Sequence, residues 1–308
     1  MKTYLYIIFK VFLILLFSVN NTYSQTSDKT LEKTYKEKST TKLKDFFVTW
    51  SQEIPPITDA ELSEYNDAIQ QAYKVFITFY KPHRLDSIGG SEWGNDIYKN
   101  VDFLIVQNSL KIYFTDKVYY TDQELREYVI NKISQSSIVD SIQTCWIEQI
   151  SNGKKIPDLA LQFYSPYFFQ ENRINRVLAD SIINFRPAIH CDGKIPLFLT
   201  EKYENIITDF LGNKFSPLGA GGIMNPARAK KQSEKRKQFL ENYIQFFHGH
   251  WGGYWQLYSY PQAYSITFDY DMKYAKIDFR MIYQGGEAFL KNENGVWTLI
   301  SSELTWIE

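Results

Sequence analysis

The residues best equipped by type for chemistry form one run, His248-Gly249-His250-Trp251-Gly252-Gly253-Tyr254-Trp255. An imidazole can serve as a general base near neutral pH. Tryptophan and tyrosine faces can stack on a sugar or another flat ligand, and glycine lets the backbone approach closely. The same residues also make a packed corner, with the aromatics filling the mouth of a sheet, which is the commoner use of such a run. Glu287 follows Gly285-Gly286, and Glu303 sits in the last strand-like run. Two carboxylates can divide acid and base roles when their environments separate their pKa values; on a half-buried sheet they otherwise face solvent. The ligand-binding candidates are therefore His248, His250, Trp251, Tyr254, Trp255, Glu287 and Glu303. A hydrolase would use His250 with Glu287 or Glu303.

Other motifs are weaker. His190-Cys191-Asp192 brings three catalytic residue types together, but neighbours on an extended chain point in opposite directions, so this is no triad. Asp269 and Asp271 flank a turn without the further oxygens of a calcium loop. Gly219-Ala220-Gly221-Gly222 lacks the preceding strand and the Gly-Lys-Ser/Thr ending of a phosphate loop, and reads as a hinge. The basic run Arg228, Lys230, Lys231, Lys235, Arg236 and Lys237 reads as a solvated helix face, or as a docking face for an acidic partner. Cys145 and Cys191 are the two cysteines; they can form one disulfide or stay as free thiols. No Cys/His spacing suits zinc, so no metal is expected, and no cofactor motif is present.

These residues are delivered by a chain that begins like an exported protein. Lys2 and Lys10 precede the apolar run Val11 to Phe17, and Thr22 and Ser24 are the small residues of a cleavage site before Gln25. The apolar run is shorter than the roughly 20 residues of a membrane span. Residues 1–24 are thus expected to be a signal peptide, leaving a protein without a membrane span in the periplasm or outside the cell. The full chain carries 34 Lys and Arg against 35 Asp and Glu; losing Lys2 and Lys10 takes the net charge from −1 to −3. That balance excludes a general nucleic-acid binder.

After the leader, residues 25–45 are polar and charged and predict a flexible tether. Pro55, Pro56 and the capping-box spacing Thr58 to Glu61 predict a helix running on through Leu62, Tyr65, Ile69, Ala72, Phe76 and Tyr80. Val101–Val106 and Leu110–Phe114 read as two strands with a turn at Gln107–Ser109. Thr121 to Glu124 predicts another helix start, and Thr200 to Gly212 a short helix burying Tyr203, Ile206, Ile207 and Phe210. Asn225-Pro226 predicts a helix start. The strands Tyr264–Phe268 and Tyr274–Tyr283 follow, then a turn at Gly285-Gly286, a hairpin at Asn294-Gly295 and a strand whose alternation changes phase near Ser301-Ser302, predicting a bulge. The fold class is α+β: helices packed on antiparallel sheets, ending in a curved antiparallel sheet with a covering helix. The expected domains are 46–215 and 223–308, divided at the glycine-rich break.

Ala275 to Phe279, Gly285 to Ala288 and Gly295 to Leu299 give the C-terminal region a pattern that resembles the cone of the nuclear-transport-factor-2-like superfamily. The resemblance implies a helix-covered curved sheet around a pocket and no particular activity. The whole chain resembles uncharacterised exported proteins of Gram-negative bacteria, which implies an address only. Aromatic richness without a recognisable catalytic set favours a non-catalytic protein that binds a small apolar or sugar-like ligand or an envelope protein partner. An envelope hydrolase is the alternative.

Overall fold

Leu31 and Tyr35 stand four apart, and in the computed structural model they share a face of a short helix, α1 (30–36). The structure describes residues 30–89, 97–136, 139–166, 176–212, 227–248 and 255–307; the leader expected at 1–24 lies outside them. Ser39 accepts the Lys42 amide and caps α2 (Thr40–Glu53), whose buried stripe is Leu43, Phe46, Phe47 and Trp50. The tether expected over 25–45 is therefore a helical segment from residue 30 onward. Its few apolar residues suffice because they fall at helical spacing and one is aromatic: Tyr35 packs edge-on against Phe210 and Phe239, at 5.6 and 5.4 Å.

The stripe from Leu62 to Tyr80 is broken into α3 (Asp59–Ser63) and α4 (Asp67–Phe79). Asn66 wins the competition, its side chain accepting the Ile69 amide as a new N-cap. Tyr65 is left exposed, and Ile69, Ala72, Tyr73, Val75, Phe76 and Phe79 form the buried face. Next come β1 (Phe103–Val106) and β2 (Ser109–Thr115). The expected capping box starts α5 (Asp122–Ser134), with Thr121 and Glu124 each bonding the other's amide. The stretch without a clear sequence pattern holds α6 (Ser141–Ser151), α7 (Asp158–Tyr164), β3 (Val177–Ile183) and β4 (Ile195–Phe198). Helix α8 (Glu201–Leu211) lies between Thr200 and Gly212 and buries the four expected residues. Then follow α9 (Ala227–Leu240), the two-residue strands β5 (Phe247–His248) and β6 (Trp255–Gln256), and β7 (Gln262–Asp269), β8 (Tyr274–Met281), β9 (Gln284–Glu293) and β10 (Val296–Ile307).

Two units interleave along the chain. Among the described residues the first holds 30–58, 97–108 and 184–260, and the second 59–89, 109–183 and 261–307. This corrects the expectation of consecutive domains at 46–215 and 223–308. The strands β7–β10 share a sheet with β2 and β3, whereas α9 reaches α8 in the first unit, where Arg236 Nη1 donates to the Phe210 carbonyl. Strands β1 and β2 likewise form no hairpin with each other: β1 pairs in parallel with β4, and β2 pairs with β3 and β7.

In the first unit the Trp50 ring stacks on Tyr203 at 4.3 Å and 3°, and its Nε1 donates to the Phe198 carbonyl at 3.1 Å. Helices α2 and α8 and strand β4 are thereby held in one core, with Phe103, Phe210 and Leu240.

The second unit is built on a six-stranded sheet of order β10-β9-β8-β7-β2-β3, antiparallel throughout except for the β2–β7 pair. The chain is thus α+β, with helices packed on a mixed, mostly antiparallel sheet. Ile112, Ile266, Ile277 and Ala288 are in register on one face, all buried. Helix α4 covers that face, with Phe79 5.1 Å from Phe279 and Trp297 Nε1 donating to Gln71 Oε1 at 2.8 Å. The expected hairpin turn at Asn294-Gly295 has both residues at positive φ. The expected bulge falls between Leu299 and Ser301, and a second between Leu304 and Trp306.

The turn between β8 and β9 is not at Gly285-Gly286, as expected, but at Ile282-Tyr283, with Ile282 at φ +57°. Gly286 is instead a strand residue against which other groups close in. A Cβ there would stand 2.4 Å from the Glu303 carbonyl oxygen and 2.6 Å from Phe279 Cζ. Gly286→Val should therefore cost about 1–3 kcal/mol, read from the urea midpoint of the full chain; an unchanged midpoint would contradict the packing role.

Candidate functional site

In a sheet, residues opposite one another on neighbouring strands share a face. The register of the second unit lines up Ser181, Lys111, Ser265, Asp278, Glu287 and Glu303, one from each of its six strands. This polar row crosses the face opposite α4. Two residues along β8 from Asp278, and so on the same face, lies Lys276.

Lys276 is the centre of the row's chemistry. Its side chain is 5% exposed, and its Nζ lies 3.0 Å from Asp278 Oδ1 and 3.0 Å from Glu287 Oε1. Burial alone would pull the ammonium's pKa down, but the two carboxylates more than offset it and hold the pKa above the ordinary value. Asp278 is saturated with partners. Its Oδ2 accepts from Ser265 Oγ at 2.9 Å and from Arg176 Nη1 at 3.1 Å. Burial pushes this carboxyl up, yet Lys276, Ser265 and Arg176 together hold it below the usual carboxylate range. Glu287 goes the other way. Burial raises its pKa and wins over Lys276, helped by the nearby Asp278 and Glu303; its Oε2 is buried without a hydrogen-bond partner among the described residues.

Arg176 joins this cluster to a surface depression. Its guanidinium carbon lies 4.1 Å from the centre of the Tyr113 ring, so Asp278 grips one edge while the ring supports one face. Both residues line a solvent-open groove of about 370 Å³, with Ser109, Lys111, Ser181, Gln262, Tyr264 and Ser265 among the other lining residues. That size accommodates a small ligand. Lys111 is exposed and has no ion pair among the described residues.

The site residues expected from sequence are dispersed. Glu287 belongs to the buried cluster, and Glu303 faces it across the β9–β10 register but is exposed. His250, Trp251 and Tyr254 lie outside the described residues. His248 and Trp255 are paired backbone to backbone in β5 and β6, in the first unit. Sequence reasoning missed Lys276, Asp278, Arg176, Ser265 and Tyr113. Lys276 and Asp278 alternate with apolar neighbours and read as solvent-facing; the signal that could have found them is the register of a tight turn at Ile282-Tyr283, which sets Asp278 opposite Glu287.

Other motifs resolve into structural roles. Of the two alternatives for the cysteines, free thiols are what the structure has: Cys145 is exposed on α6, and Cys191 is buried in the first unit. Burial, with Asp192 beside it, pushes the Cys191 thiol up to about 12, so it is no nucleophile. His190 Nε2 meets Asp192 Oδ1 at 2.8 Å on the surface instead. Asp269 accepts the Lys273 and Tyr274 amides, and Asp271 pairs with Lys273 at 3.2 Å. The basic helix α9 is not wholly a solvated face. Lys237 is buried between Glu234 and Glu241, and Arg236 meets Glu32 at 2.6 Å. Among the described residues no three His, Cys, Asp or Glu side chains gather as metal ligands, and no helix is long and apolar enough to cross a membrane.

The chain matches no family model, no curated protein and no solved structure.

The opposite shifts of Glu287 and Asp278 have a pH signature. A carboxyl whose folded pKa is raised contributes fully below its unfolded value, about 4.3, and that contribution is lost as pH rises through the folded value. A depressed one, Asp278, contributes above about pH 3.9 and loses its contribution as pH falls. Glu287→Gln removes only the first effect. Its unfolding free energy relative to wild type should therefore rise as pH climbs above about 4.3 in urea titrations. A difference that stays flat above that pH would contradict the buried, raised Glu287.

Proposed function

We propose that the chain is an exported, non-catalytic binding protein whose second unit takes a small sugar-like ligand in the groove beside Tyr113 and Arg176. The observation that carries this reading is the way Asp278 is used. Its two oxygens are committed to Lys276, Arg176 and Ser265, and its pKa is held low. A carboxylate so occupied makes a poor general base, but it fixes two groove residues in place before any ligand arrives. Such preorganisation lowers the ordering cost of binding.

The lining itself supports a hydroxyl-rich ligand over an apolar one. Ser109, Ser181 and Gln262 offer hydrogen-bonding groups, while Tyr264, which is exposed, offers an aromatic face. The export expected from residues 1–24 is in keeping with a ligand met in the envelope or outside the cell.

The test is ligand-observed magnetic resonance on the full chain with a panel of neutral and acidic mono- and disaccharides. At least one member should bind, and Tyr264→Ala and Ser181→Ala should each weaken it about five- to tenfold, as lost stacking and hydrogen bonds of roughly 1–1.5 kcal/mol require. No binding across the panel, or binding indifferent to both substitutions, would overturn the reading.

A further inference from the structure

Among the groove's lining residues there are two cations, Lys111 and Arg176, and no carboxylate. Arg176 spends one Nη1 donor on Asp278 at 3.1 Å and sets one guanidinium face against Tyr113. An arginine has five N–H donors in a planar fork, so further donors remain, and Arg176 makes no other hydrogen bond or ion pair among the described residues. Its side chain is 20% exposed and lines the groove. Lys111 stands one strand away from Ser265 in the β2–β7 register, next to the Ser265 hydroxyl that bonds Asp278.

From this arrangement we infer that the ligand is a sugar acid, its carboxylate held between the remaining fork of Arg176 and the ammonium of Lys111. The inference rests on the sugar-like reading above and sharpens it. A planar fork held on one edge and one face is ready for two parallel bonds to a carboxylate. The charge balance fits a monoanion better than a phosphate dianion. Asp278 already neutralises much of the Arg176 charge, which leaves Lys111 as the one groove cation without a partner among the described residues. The Ser181 hydroxyl, beside Lys111 in the polar row and exposed, is placed to meet a ring hydroxyl.

The test measures, by calorimetry on the full chain, glucuronate and galacturonate against glucose and galactose, with inorganic phosphate as competitor. At low salt each acid should bind at least about tenfold more tightly than its neutral parent, the scale of a charge-assisted bond. The gap should narrow in high salt. Lys111→Gln should erase most of the gap by weakening the acids far more than the neutral sugars, and Lys111→Arg should keep it. Lys111 is exposed, so these variants fold as the parent does, checked by their urea midpoints. Neutral sugars that bind as well as the acids would overturn the carboxylate assignment while sparing the sugar-like reading. Phosphate displacing the acids at lower concentration would also overturn it. No binding by any sugar would sink both.

Discussion

Among its described residues, the second unit depends on one buried cation. Lys276 sits between Asp278 and Glu287 on a sheet face where an unpaired ammonium could not remain charged. Taking charges from water is costly, and a buried set breaks even only when geometry and extra hydrogen bonds are good. Here both carboxylates lie 3.0 Å from the ammonium, and Asp278 gains Ser265 and Arg176 as well. The consequence is register. A one-residue slip of β8 against β9 would send Lys276 to the apolar face beneath α4, so the charges select one pairing as much as they stabilise it.

That pairing requires strand β10 to come close. Glu303 stands opposite Glu287, and its carbonyl oxygen occupies the space a side chain at position 286 would need. Glycine at 286 therefore serves close approach, and the strain of the turn is carried by Ile282 at φ +57°. A β-branched residue in that conformation is costly; its burial and the Arg280 Nε bond to its carbonyl at 2.6 Å hold it there. The hairpin and the charge cluster thus fix one another, and the groove inherits its shape through Arg176.

Local signals in the sequence were legible wherever the deciding physics was local. The Thr121 capping box, the Thr200 to Gly212 helix, the Asn294-Gly295 turn and the bulge near Ser301 all follow from contacts within a few residues. The α+β class follows from the mix of periodicities. Pairing over long distances was not legible. Nothing in Ser109–Thr115 marks Gln262–Asp269 as its parallel neighbour, so two consecutive domains were expected where two interleaved units form. The site failed for a related reason. Placing the turn at Gly285-Gly286, the usual turn residues, shifts the register of β8 and β9 and separates Asp278 from Glu287, leaving Lys276 and Asp278 to look like ordinary solvent-facing charges. Of the expected candidates, Glu287 stands in the buried cluster beside Lys276 and not among the groove's lining residues.

The buried charges of the sheet hold the groove's arginine in place. A crystal structure of Asp278→Asn tests this most directly, since the substitution keeps the shape and removes the charge that grips Arg176 and Lys276. The strand register should survive while Arg176 leaves the Tyr113 ring and the groove wall loses its order. Arg176 still stacked about 4.1 Å from that ring, as in the wild-type chain, would contradict it.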